Sequence, residues 1–163
     1  MVKHLPIQKS SGYTIIEIII SLFILIILFA VAQANYRQFI LAKSLDAVKS
    51  RIISDVKLTQ EYALAGKTTA TCTGLNGYLF STSVTNNNYT ISADCTTDVL
   101  IKTVKISDVA KGISFSGSGI SVLFKVLGGG TNITAGGNVP ITITQQTTGN
   151  TRIVTITSGG EVK

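Results

Sequence analysis

The chain of 163 residues has room for one ordinary domain, or for a small domain with an appendage. It carries 14 Lys+Arg against 8 Asp+Glu, a formal net charge of +6; only 13% of its residues are charged and 45% are hydrophobic. That balance excludes a disordered chain, which needs low hydropathy and high charge. A single His, at position 4, and two Cys argue against a His/Cys metal centre and against any Ser-His-Asp or Cys-His machinery in the body of the chain. No cofactor is implied. Only one stretch is long and apolar enough to span a bilayer, which excludes a polytopic transporter.

Residues 1–12 read MVKHLPIQKSSG, short and polar, with Lys3 and Lys9. From Ile18 to Tyr36 the chain has no charge, and Glu17 stands just before that run. As a helix the run spans about 28 Å, close to the hydrocarbon core of a bilayer. From Arg37 to Ala65 the chain becomes amphipathic. Leu41, Leu45, Val48, Ile52, Val56 and Ala63 recur at steps of three and four, with Thr59 or Gln60 filling the one gap. No Gly or Pro interrupts Tyr13 to Ala65, so the spacing predicts one helix of roughly 50 residues. Gly66 supplies a C′ stop, followed by Lys67.

Beyond Lys67 the composition turns to β structure. Segments 77–84, 88–92, 99–106, 120–127, 140–146 and 152–157 are rich in β-branched and aromatic residues. Ile141 and Ile143 alternate with Thr142 and Thr144. Turn signals separate the segments at Asn86–Asn88, Gly117–Gly119, Gly128–Gly130, Gly136-Gly137 and Gly159-Gly160. The reading is an antiparallel sheet whose apolar face needs a cover, with the helix stripe of 37–65 as the only cover available.

Three readings compete for the N-terminus: a secretory signal peptide cut near Ala32, with Ala30-Val31-Ala32 as its A-x-A site; an uncut signal anchor; and a third carried by the local text. Ser11-Gly12-Tyr13-Thr14-Ile15-Ile16-Glu17 before a long apolar run resembles the processing site of type IV prepilins and type II secretion pseudopilins. The resemblance implies cleavage after Gly12 by prepilin peptidase and N-methylation of Tyr13. It implies a helix that holds the subunit in the cytoplasmic membrane and later lies in a filament core. Glu17, fifth in the mature chain, would pair with the α-amine of an adjacent subunit and set the axial register. Two positions depart from the family pattern: Tyr13 replaces the usual Phe, and Ala34 before Asn35 stands where many members have a kinking Pro. Leu58 through Lys67, and the ending RIVTITSGGEVK, resemble H-type minor pseudopilins and T-type fimbrial minor pilins.

The expected fold class is therefore α+β. A long N-terminal helix, transmembrane in its first half, packs by its second half on an antiparallel β-sheet head, the pilin-like ladle. The expected divisions are a cleaved leader 1–12, a transmembrane or filament-core helix 13–36, its amphipathic continuation 37–66, and a β-rich head 67–163. The expected function is a structural subunit, a minor pilin or pseudopilin, and not an enzyme. Its partners are other pilin or pseudopilin subunits, prepilin peptidase, assembly platform proteins and cytoplasmic membrane lipid. Its place is the inner membrane, single-pass with the head outside, and then a periplasmic or extracellular filament. A major pilin or a DNA-uptake minor pilin is the alternative within the class. A secreted β-rich binding protein is the alternative outside it.

One count runs against that orientation. Residues 37–57 hold Arg37, Lys43, Lys49, Arg51 and Lys57, against Lys3 and Lys9 in the leader. Translocation of a whole domain is less sensitive to this count. Cys72 and Cys95 favour a disulfide in an exported chain. Asn88-Tyr89-Thr90 and Asn132-Ile133-Thr134 match the N-glycosylation tripeptide, a frequent coincidence in a chain rich in Thr and Asn. Gly128–Gly130 lacks a following GK[ST] and reads as a mobile hairpin tip, not a phosphate loop. Lys102, Lys105, Lys111 and Lys125 are spread over strands with few acids nearby, and the tail offers Arg152 and Lys163. A dense basic stripe is missing, so nucleic acid is disfavoured as a partner. Asp94 and Asp98 read as loop residues.

Overall fold

The computed structural model describes residues 12–68 and 71–163. Leader residues 1–11, Thr69, Ala70 and the side chains of Ala34 and Asn35 lie outside the described residues, and with them most of the leader and the side chains at the missing-proline site. Two compact units divide the chain, residues 1–39 and 40–163.

Helix α1 runs Ile15–Leu64, the expected 50 residues. It opens on a T-x-x-E capping pattern. Thr14 sits at the N-cap, and its Oγ1 accepts the Glu17 N–H at 3.4 Å. It closes on Gly66, whose φ of 54° is the left-handed conformation that glycine adopts without a Cβ penalty. The Gly66 N–H donates to the Ala63 carbonyl at 3.2 Å and the Lys67 N–H to the Tyr62 carbonyl at 3.2 Å. These two bonds make a Schellman motif and satisfy carbonyls that the helix end leaves open. The Lys67 ammonium lies 4.7 Å above the Tyr62 ring and folds over the same turn.

In the unit 40–163, seven strands follow: β1 (Gly77–Ser83), β2 (Asn88–Asp94), β3 (Val99–Lys105), β4 (Ile113–Ser116), β5 (Ser121–Lys125), β6 (Asn138–Gln145) and β7 (Thr151–Thr157). A one-turn helix α2 (Ile106–Val109) joins β3 to β4. The strands form two antiparallel sheets, ordered β3-β2-β1-β5 and β4-β6-β7. The α+β class therefore holds, with three corrections. The expected single sheet is two. Strand β4, four residues of mixed Ser and aromatic character, is an addition. The last part of segment 120–127 is a 3-10 turn at Val126–Gly128, because Leu127 takes φ 54° and ends the strand. The Gly128–Gly130 run folds back on β5, and Thr131 bridges Phe124.

One core joins all three layers. The helix supplies Leu45, Val48, Ile52, Val56, Thr59 and Ala63, all buried, so Thr59 and not Gln60 fills the gap in the stripe. Leu41 is only half-buried. The first sheet turns in Tyr78, Phe80, Tyr89, Ile91, Val122 and Phe124. The second turns in Phe115, Ile141, Ile143, Val154 and Ile156. Tyr89 meets Phe115 edge-on at 6.5 Å, across the two sheets. The helix is thus not the only cover: each sheet also covers part of the other. The disulfide Cys72–Cys95 ties the connection after α1 to the end of β2, with Cα atoms 5.6 Å apart.

Candidate functional site

In the unit 1–39, α1 exposes its apolar side chains on every face. From Ile15 to Val31 no described side chain is buried, and Phe23, Leu28 and Phe29 are more than 60% exposed. Burying a side chain of this size is worth about 1.5–3 kcal/mol. An all-round apolar helix is therefore matched to lipid or to other helices, not to water. It is the one candidate membrane span among the described residues, and none of its apolar window is buried.

Tyr13 and Gly12 precede this helix and are exposed, Tyr13 at 80%. Glu17 is the only charged residue from Ile15 to Tyr36. Its backbone is held by Thr14, and its carbonyl accepts the Ser21 hydroxyl at 2.7 Å. No ion pair falls on its carboxylate among the described residues. At the third helical position the carboxylate also faces the positive end of the helix dipole, a favourable place for it in an isolated chain.

The polar centre of the head was not anticipated. Asp55 on α1 is buried, at 4% exposure. Its Oδ2 accepts the Tyr89 hydroxyl at 2.6 Å, and Lys102 Nζ donates to Oδ1 at 2.7 Å and to Oδ2 at 2.9 Å. Arg51, one turn earlier, places Nε 3.3 Å from Oδ2. Burial pushes the Asp55 pKa up, but the hydrogen bonds from Lys102 and Tyr89 and the charges of Lys102 and Arg51 outweigh it, leaving the group below its ordinary value. Burial, and then the bond to Asp55, push the Tyr89 phenol upward. The carboxylate accepts from Tyr89 and Lys102, with Arg51 beside it, so it works as a tie between α1, β2 and β3. The sequence carried a signal for it: Ile52, Asp55, Val56 and Thr59 follow i, i+3, i+4, i+7, which puts Asp55 on the buried face.

The same cluster corrects the reading of the lysines. Lys102 has an acid partner in space, supplied by the helix. Arg152 likewise meets Asp46 at 2.8 Å, and Lys163 meets Glu161 at 3.1 Å. Asp94 closes strand β2 and is not a loop residue, whereas Asp98 is. Among the described residues no group of His, Cys, Asp and Glu side chains is placed to hold a metal.

No protein-family model, no curated protein and no solved structure matches this chain.

Proposed function

We propose that the chain is a structural subunit of a type IV pilus or type II secretion pseudopilus, a minor pilin or pseudopilin. One observation carries the reading: α1 begins just after Gly12-Tyr13, is apolar and uncovered through its first half, and continues as the helix whose stripe is buried in the α+β head. A cleaved signal peptide has no use for that continuity. In this reading prepilin peptidase cuts after Gly12 and Tyr13 is methylated. The helix 13–36 first spans the cytoplasmic membrane with the head outside. It then leaves lipid for the company of other subunit helices, with assembly platform proteins driving the transfer. Glu17 supports the reading because a carboxylate entering an apolar bundle needs a cation. The α-amine created by the cut is such a cation, on a neighbouring subunit. In this reading the role is structural and not enzymatic, and the Asp55 cluster ties elements of the head together.

The test is the intact mass and N-terminal peptide of the mature protein extracted from membranes. Loss of residues 1–12 with a methyl group on Tyr13 is the expected result. A new N-terminus at Gln33 would overturn the proposal and make the chain a secreted β-rich protein.

A further inference from the structure

A sheet edge is a row of open amide and carbonyl groups that templates another strand unless something covers it. Two sheets have four edges, and here the chain closes three of them. Residues 130–132 cover β5: the Lys125 N–H donates to the Gly130 carbonyl at 2.9 Å, and the Asn132 N–H to the Leu123 carbonyl at 3.1 Å. Asn132 Oδ1 accepts the Leu123 N–H at 3.0 Å as well. Residues 161–163 cover β7, where Lys163 and Thr155 exchange bonds of 3.0 and 2.9 Å. The Asn87 side chain covers β4, donating from Nδ2 to the Ile113 carbonyl at 2.9 Å and accepting the Phe115 N–H on Oδ1 at 3.0 Å.

The fourth edge is β3. Among the described residues, no backbone bond reaches Val99–Lys105 beyond the ladder to β2. The strand has seven residues and no Pro. Its central lysine does not guard the edge, because the Lys102 ammonium is turned to Asp55. Leu100 is 62% exposed and Ile101 37%. The register shift beside Ile101 leaves Lys102–Lys105 in regular pairing. Because of that shift Leu100, Thr103 and Lys105 oppose Ser92, Thr90 and Asn88, alternate residues of β2, and so share one face.

We propose that β3 pairs antiparallel with the β3 of a second copy of this chain, joining two four-stranded sheets into one of eight strands. Charge selects this occupant. Asp98 is the loop residue just before the strand and Lys105 lies at the strand's end, both exposed and neither in an ion pair among the described residues. A two-fold pairing about the middle of the strand lays the Asp98 end of each copy beside the Lys105 end of the other. Both opposite-charge contacts form at once, and Leu100 is covered by the added strand. The pairing does not depend on the chain entering a filament.

The experiment mixes unlabelled and 15N-labelled full-length chain in detergent micelles and treats the mixture with a carbodiimide, which joins carboxylates to amines in contact. Mass spectrometry then reads the cross-linked peptides. The expected product is an Asp98–Lys105 cross-link in the mixed-isotope form. Asp98→Lys and Lys105→Asp each lower the self-association constant by about three- to tenfold, and the double variant restores it, read by sedimentation equilibrium of each protein alone in the same micelles. Both substitutions are on exposed side chains, so the fold survives them. Association through the apolar helix would be insensitive to either single change. Absence of the mixed-isotope cross-link, dimers cross-linked only elsewhere, or failure of the double variant to recover would each overturn the proposal. A monomer whose β3 amides exchange freely would also overturn it and leave this edge to a strand of another protein.

Discussion

Replacing Asp55 by Ala tests the central physical claim about the head. The carboxylate removed is 4% exposed and accepts from Tyr89 and Lys102, with Arg51 close by. Its partners lose unequally. The side chains of Lys102 and Arg51 are 28% and 50% exposed, so both charges rehydrate. The Tyr89 hydroxyl does not, because its residue is 1% exposed. A buried donor left without a partner costs about 1–3 kcal/mol. The lost charge-assisted bonds from Lys102 are partly offset by the desolvation that Asp55 no longer bears. The expected loss is therefore about 2–3 kcal/mol, a large share of the roughly 5–15 kcal/mol that holds a domain folded. Tyr89→Phe removes the hydroxyl and leaves Lys102 on the carboxylate, for about 1–2 kcal/mol. In the double variant the orphaned hydroxyl is gone, so its loss falls short of the sum by about 1 kcal/mol or more. Urea unfolding of the full chain in detergent, followed by the near-ultraviolet circular dichroism of tyrosine, reads these values. The signal reports on the head, where Tyr62 packs on Tyr78 and Phe80 on Tyr89. A loss below about 1 kcal/mol for Asp55→Ala, or strict additivity in the double variant, would refute the argument.

The same groups set a pH window. Asp55 is lowered in the fold, so its contribution is present above the unfolded carboxylate value near 4 and is lost as pH falls through the folded value. Tyr89 is raised, so above roughly pH 10 the unfolded chain ionises a phenol that the fold keeps neutral, and stability falls there too. Denaturation midpoints should be flat from about pH 5 to 9, and Tyr89→Phe should soften the alkaline fall. Gly66→Ala places a Cβ on a residue at φ 54° with only Leu127 within 4 Å, at 3.9 Å, so the cost is the backbone's alone, about 1 kcal/mol by the same urea titration. Under the proposed pilin role, Glu17→Ala should leave the protein cleaved and methylated by mass spectrometry but poorly incorporated into sheared filaments; normal incorporation would remove Glu17 from the register argument.

The long helix was legible because its determinants are local: no breaker from Tyr13 to Ala65, a stripe at helical spacing, and Gly66 at its end. Six strands were legible for the same reason. Their grouping was not, since alternation says which face of a strand is buried but not which strand lies beside it. The split into two sheets turns on contacts such as Asn87 with Ile113 and Phe115, far apart in sequence. Strand β4 escaped because Ile113–Ser116 is short and half serine. Asp55 escaped because a charged residue is ordinarily assigned to the solvent side, although its spacing from Ile52 and Thr59 placed it inward. Its cation, Lys102, comes from 47 residues away, which no local pattern encodes. Glu17 was singled out for assembly; that Thr14 also makes it part of a helix cap was readable from T-x-x-E.

The bridge between Cys72 and Cys95 makes the stability of the head a property of the compartment as well as of the sequence. The two cysteines are 23 positions apart, and closing a loop of that size contributes about 3.4 kcal/mol in the chain-entropy account. A reducing cytoplasm withholds that contribution, and an oxidising space grants it. The same polypeptide is thus looser in a reducing space and tighter in an oxidising one, with the link between α1 and β1 as the part that changes. Final consolidation of the head waits on the surroundings, and that condition is written into two side chains.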